Sequence, residues 1–168
     1  DFFHKMVVSF SSVLHVDYVF ITKIDLISRI SSIIAISANG EIVDNFNYDL
    51  DDTPCSNVAT DSVCCYPMDV TTLFPKDQLL KDMGIEGYIG SPLHDSNRKL
   101  IGLSAVLSTK PIKNQEKIIT LFEVFSGRIA AEMERIEQSA KLVESEMRLQ
   151  LAISGSNEGL WDWNLQTN

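Results

Sequence analysis

Apolar residues at Phe3, Met6, Val7, Phe10, Val13 and Leu14 recur at spacings of three and four, which gathers them on one face of a helix over residues 2–14. From Asp17 to Ile24 the period becomes two, with Tyr18, Phe20 and Thr22 on one side and Val19 and Ile21 on the other, the pattern of a strand. Ser32–Ser37 and Glu41–Tyr48 are two further strand-like runs joined through Asn39-Gly40, a dipeptide that supplies the positive φ angles of a tight hairpin turn. After an irregular acidic stretch, Pro54 suits the first turn of a short helix through about Ala59, with Thr53 as its N-cap. A short strand over Val63–Tyr66 ends at Pro67.

Between Val70 and Met83, Leu73, Leu79 and Leu80 and the interruption at Pro75 predict two short helical turns closed by Gly84. Ile85–Leu93 and Leu100–Leu107 form a second pair of strands around the polar turn His94–Lys99, and Pro92 requires an edge or a bulge near the end of the first. The predicted order is α-β-β-β-α-β-α-β-β-α.

From Gln115 to Ile153 only Gly127 interrupts helical periodicity, about 39 residues or roughly 60 Å at 1.5 Å per residue. Ile119, Met133, Ala140 and Met147 fall on one heptad position and Phe122, Ile129, Ile136 and Val143 on the other, with Ser126 as the polar intruder. This seam predicts a helix partner, and Phe122, Ile129, Met133, Ile136, Ala140, Val143 and Met147 are its expected contacts in a homodimer. Glu123, Glu137 and Glu144 at e and Glu132 and Glu146 at g would bring like charges together in a parallel dimer, so the coil is expected to be weak alone. Glu137–Lys141 and Glu144–Arg148 instead pair favourably within one helix. The character changes at Ser154-Gly155-Ser156-Asn157, where a further domain is expected to begin with a strand over Glu158–Asn164.

With 168 residues, the chain is long enough for one core and extra elements. It is 45% hydrophobic and 22% charged, with no run near the roughly 18 apolar residues of a membrane span, so neither disorder nor membrane insertion is expected. The net charge is −9, and between Arg29 and Lys76 Glu41, Asp44, Asp49, Asp51, Asp52, Asp61 and Asp69 occur without a single Lys or Arg. That balance disfavours nucleic acid and repels anionic ligands from the segment. Cys55, Cys64 and Cys65 are an odd number in a chain that needs no staples, which favours a reducing compartment, the cytoplasm. The chain opens on Asp1 and reads as an internal piece of a larger protein.

Several strings together resemble the GAF family of sensory domains over about Phe2–Glu134: Asp17-Tyr18-Val19-Phe20-Ile21, Thr53-Pro54-Cys55-Ser56-Asn57-Val58, Cys65-Tyr66-Pro67 and Leu73-Phe74-Pro75-Lys76-Asp77. Gly87-Tyr88-Ile89-Gly90-Ser91-Pro92-Leu93, Ile101-Gly102-Leu103 and Phe125–Glu134 complete the set. The tail, Arg148–Ser154 followed by Gly159-Leu160-Trp161-Asp162-Trp163-Asn164, resembles the opening of a PAS domain. The resemblance implies an α+β fold with a central antiparallel sheet, the N- and C-terminal helices on one face and a pocket lidded by Asn45–Asp69 on the other. It divides the chain into a sensor domain at 1–134, a signalling helix at 135–153 and the start of a PAS-like domain at 154–168. It also implies a bacterial signalling protein that ends in a histidine kinase or diguanylate cyclase, with the chain itself non-catalytic.

The resemblance puts Cys55 and Tyr66 near the pocket, and Tyr48, Tyr66 and Tyr88 sit on strand-like runs beside its lid, where plain core or edge packing is the simpler reading; with Asp51 and Cys65 they are the candidate contacts of an unidentified small molecule, and no cofactor is assigned. Adjacent Cys64 and Cys65 on a strand point to opposite faces and form no zinc pair, so buried structural thiols are the simpler reading and no metal is expected. The free methionine-R-sulfoxide reductase branch of the family would use Cys55 and Cys65 as nucleophile and resolver, but a lid without Lys or Arg offers no cation to lower a thiol pKa. The Asn-Lys-Phe-Asp-Glu pattern of cyclic-nucleotide-binding members is absent, and the surroundings of a phytochrome chromophore thiol find no match. Asp49, Asp51 and Asp52 lack the spacing of a calcium loop, and His4, His15 and His94 are too scattered for a triad or a ligand cluster. A ligandless spacer that only holds dimer geometry is the alternative outside the sensor class.

Overall fold

The computed structural model describes residues 1–60 and 62–155. The chain divides into two compact units, Asp1–Ala131 and Glu132–Asn168.

In the first unit, helix α1 (Phe2–Leu14) starts where the Asp1 carboxylate accepts from the Phe3 amide at 2.9 Å and ends at His15 in the left-handed conformation. Strands β1 (Tyr18–Asp25) and β2 (Ile30–Ala38) run antiparallel and are followed by β3 (Glu41–Ile42) and β4 (Asn47–Asp49). The turn between β2 and β3 has φ 52° at Asn39 and 86° at Gly40, the pair of positive values a two-residue hairpin needs. Helix α2 (Pro54–Val58), strand β5 (Cys64–Tyr66), helices α3 (Val70–Leu73) and α4 (Gln78–Asp82), strands β6 (Gly87–His94) and β7 (Leu100–Ser108) and helix α5 (Gln115–Gly155) complete the order. One antiparallel sheet results, in the order β3-β2-β1-β7-β6-β5, with β4 also pairing with β2.

The second arm of the predicted hairpin is two strands, not one. The β1–β2 register steps from Ile21↔Ala35 to Thr22↔Ile33, leaving Ile34 as the extra residue of a bulge. Opposite that bulge, regular pairing is interrupted over residues 43–46: Val43 still donates to the Ile36 carbonyl at 3.3 Å and Phe46 still accepts from the Ile33 amide at 3.0 Å, the Asn45 side-chain amide donates to the Ile34 carbonyl at 3.1 Å, and regular pairing resumes at β4. Pro92 meets both of its requirements: it sits on β6 beyond the Tyr88–Gly90 stretch that pairs with β5, and the register with β7 shifts at Leu93/His94.

The sheet separates two apolar layers. On one face Phe3, Val7, Phe10 and Leu14 of α1 and Ile118, Phe122 and Ile129 of α5 are buried. The Phe10 ring meets Phe122 at 6.4 Å and Phe125 at 5.4 Å, both edge-on. On the other face Phe20, Ile33, Ile36, Leu103, Ala105 and Leu107 of the sheet pack under Leu50, Cys55, Val58, Val70 and Leu80.

Phe122 and Ile129 thereby correct the seam reading. Both are fully buried within the first unit and have no surface left for a second chain. Over four turns the 3.5-residue seam and the 3.6-residue core face of a helix coincide, so spacing does not tell one from the other. The second unit, described through Gly155, is the continuation of α5; there Met133 is buried, whereas Ile136, Ala140, Val143 and Met147 are exposed. The i,i+4 pairs Glu137–Lys141 at 2.9 Å and Glu144–Arg148 at 2.6 Å are formed. The strand expected over Glu158–Asn164 lies outside the described residues.

Candidate functional site

Between the sheet and the segments that cover it lies a cavity of about 30 Å³. Its position follows from α2. Thr53 is extended, Pro54 begins the helix, and the Thr53 hydroxyl donates to the Leu50 carbonyl at 2.6 Å rather than capping the helix with its side chain. Gly90 lets this helix approach β6 closely: a methyl group added there would stand 2.8 Å from Val58 Cγ2 and against the Tyr88 hydroxyl.

Cys55 consequently faces the sheet. The Tyr48 hydroxyl, from β4, donates to its Sγ at 3.2 Å, and the Tyr88 hydroxyl, from β6, lies 3.2 Å from the same sulfur. Burial pushes the Cys55 thiol up to about 11, and burial together with the neighbouring Cys55 raises both tyrosines well above their ordinary value. Phe20, Ile36 and Leu107 form the floor and Phe46 one wall, while Leu79 and Leu80 of α4 and Met83 just beyond it close the outside. Among the described residues Asp77 is the only charged liner; its carboxylate accepts from the Leu80 amide at 3.1 Å as the N-cap of α4, and burial raises its pKa.

Three of the nominated residues, Tyr48, Cys55 and Tyr88, meet at this cavity. Tyr66 stands one ring further out, 6.3 Å from Tyr88 and 5.2 Å from Phe74, and its hydroxyl accepts from the Asn57 amide at 2.7 Å. Two nominations are corrected. Asp51 is an exposed residue paired with Arg29 and does not line the cavity, because the acidic turn that carries it points to solvent. Cys65 alternates with Cys64 and Tyr66, which pack on the Cys55 side, so its sulfur lies on the other face, 3.4 Å from Gln115 Oε1. The expected lid, Asn45–Asp69, supplies Phe46, Tyr48, Pro54 and Cys55, and Asp77, Leu79, Leu80 and Met83, beyond Asp69, add to the lining.

The sequence reading passed over Asp77, Phe20, Phe46 and the α4 side chains. Asp77 carried a local signal, an Asp placed to cap a helix before Leu79-Leu80.

What the cavity can do chemically is limited. A thiol with a pKa of about 11 stays protonated near neutral pH, and Cys55 and Cys65 lie on opposite faces of the sheet, so the nucleophile-and-resolver pair of a reductase does not form. Among the described residues no group of three or more His, Cys, Asp or Glu side chains could hold a metal ion. No helix among them is long and apolar enough to cross a membrane.

The buried thiol fixes an alkaline limit on stability. In the folded chain Cys55 holds its proton to about pH 11 and in the unfolded chain only to about 9.0. Its contribution is therefore whole below pH 9 and is lost as the pH rises towards 11, roughly 2–3 kcal/mol in all. Urea unfolding followed by circular dichroism is expected to show level stability from pH 7 to 9, then a fall that is smaller in Cys55→Ala.

No protein-family model matches the sequence, and no curated protein does. Solved structures do match. The GAF domain of an Acinetobacter phosphoenolpyruvate-protein phosphotransferase aligns with a TM-score of 0.65 at 13% identity, over 83% of this chain and 84% of that one. A GAF domain from Synechocystis, solved in its photoproduct state, gives 0.63 at 14% identity, over 84% and 96%. The GAF domain of a two-component sensor histidine kinase from Bacillus halodurans gives 0.63 at 13% identity, over 81% and 94%. The fold is the GAF fold, an α+β arrangement with N- and C-terminal helices.

Proposed function

We propose that this chain is the non-catalytic small-molecule-sensing module of a cytoplasmic signal-transduction protein, with the Tyr48–Cys55–Tyr88 cavity as its ligand site and α5 as its output. The observation that carries this reading is the mostly apolar cavity with a few convergent polar groups, the usual form of a small-molecule site. The sensory and photoreceptor proteins that share the fold support it. A homodimer formed through the exposed Ile136, Ala140, Val143 and Met147 would transmit occupancy to a PAS module and a kinase or diguanylate cyclase. A ligand acts in such a device only through its differential affinity for two arrangements of the chain.

One observation favours the ligandless spacer as a second reading: 30 Å³ is room for a water molecule or two, whereas drug-sized ligands occupy roughly 300–1,000 Å³. A ligand must then be small or must displace Phe46, Leu79 or Met83, which stand partly open to solvent. A thermal-shift screen against metabolites separates the readings. A compound present at about one hundred times its Kd raises the melting temperature by about 5–10 °C in a sensor. Leu107→Phe, which fills the floor of the cavity, removes that shift; no shift with any compound is the result expected of a spacer.

A further inference from the structure

The cavity has an uneven chemistry. Among the described residues four aromatic rings, Phe20, Phe46, Tyr48 and Tyr88, line it together with one carboxylate and no Lys, Arg or His. Phe20 meets Tyr48 at 6.4 Å and 78°, and Phe46 meets Tyr48 at 6.3 Å and 54°, so the rings form corners rather than a flat stack. The negative face of an aromatic ring attracts a cation within about 6 Å of its centroid.

Asp77 supplies the second half of the recognition. Its carboxylate is half-buried at the cavity wall and is met by the backbone N–H groups of Leu80 and Leu79. The neighbouring cations are committed elsewhere: Lys76 pairs with Asp52 at 3.2 Å, and the Lys81 ammonium donates to the Pro75 carbonyl. No ion pair forms at Asp77 among the described residues, so this partly desolvated charge has only neutral donors to answer it. Anions fare badly here, because residues 30–75 contain no Lys or Arg to offset the acidic side chains.

We infer that the cavity recognises a small organic ammonium ion, with Asp77 as its counter-charge and the rings of Phe20, Phe46, Tyr48 and Tyr88 as its walls. The inference rests on the reading of this cavity as a ligand site and adds the class of ligand. At its resting volume the cavity holds one or two heavy atoms, the nitrogen of the ammonium group and the carbon that carries it. Larger substituents on the nitrogen would leave past Phe46, Leu79 and Met83, the partly exposed part of the wall.

Three probes of one shape and different charge test this: tert-butylammonium, tert-butanol and pivalate, titrated into the isotopically labelled chain while the amides of Phe46, Cys55, Asp77 and Tyr88 are followed by NMR. The ammonium ion is expected to bind at least tenfold more tightly than the alcohol, and pivalate more weakly than either. In Asp77→Asn, which keeps a good N-cap for α4, the ammonium affinity falls to that of the alcohol. Asp77→Ser serves as a second capping variant should the amide perturb the fold. An alcohol that binds the native chain as tightly as the ammonium ion, or an ammonium affinity untouched in both variants, overturns the ammonium inference and leaves the ligand site standing. If none of the three probes moves those amides, the ammonium inference falls, and the ligand-site reading is decided by the thermal-shift screen.

Discussion

Phe122→Ala will destabilise the first unit by about 3–5 kcal/mol, the range for removing a fully buried aromatic side chain. Phe122 has no exposed surface, and its ring meets Phe10 of α1 edge-on at 6.4 Å. Truncation opens a cavity in the layer between the sheet and the two long helices, where Val7, Ile118 and Ile129 are equally buried and leave little scope for collapse. Urea unfolding read by circular dichroism measures the loss at concentrations low enough to suppress association. The size of the effect separates a core residue from a seam residue, because a side chain that served only a dimer would leave the stability of the monomer nearly unchanged.

Ile136→Lys is expected to do the reverse: it removes the proposed dimer and spares the domain. Ile136 is 46% exposed, and Val143 and Met147 beyond it are 52% and 61% exposed. Exposed apolar side chains at heptad spacing on one helix gain their burial only from a partner. A lysine placed in that seam puts two ammonium groups face to face in an apolar contact, and the coil has little reserve because Glu137, Glu144 and Glu146 already flank it. Sedimentation equilibrium should report a monomer, with a thermal midpoint for the folded domain within a degree or two of the parent, since exposed substitutions usually change stability by less than about 0.5 kcal/mol.

The two variants together mark how far sequence periodicity carries. Phe3, Val7, Phe10 and Leu14 form a helix face by spacing alone, and the chain buries that face. Asn39-Gly40 announced its turn because only a few residues accept two successive positive φ angles. The break between β3 and β4 was not legible, because the extra residue that causes it, Ile34, lies on the partner strand inside an unremarkable run of β-branched residues. The same limit applied to α5, where a core face and a seam share one stripe of positions and only burial divides Phe122 and Ile129 from Ile136 and Val143.

The site was legible in part for a related reason. Tyr48 came from a strand-like run beside the expected lid, and Cys55 and Tyr88 from the strings that carry the resemblance; all three reach the cavity. Cys65 came from the same strings, but a strand alternates its side chains, and which of two adjacent cysteines faces the cavity depends on the register with β6. Asp77 and the α4 side chains escaped because their contribution is purely tertiary. Nothing in Lys76-Asp77-Gln78 states that a short helix folds back over a sheet floor formed by Phe20, Ile36 and Leu107.

Sensing requires that the cavity and the helix speak to each other, and coupling between two sites is reciprocal. The dimer dissociation constant of the chain, measured by sedimentation equilibrium with and without a saturating compound chosen for its thermal shift, tests this most directly. A change of at least about fivefold in the native chain, absent in Leu107→Phe, is the expected result. Equal constants in the presence and absence of a compound that demonstrably occupies the cavity would contradict the account.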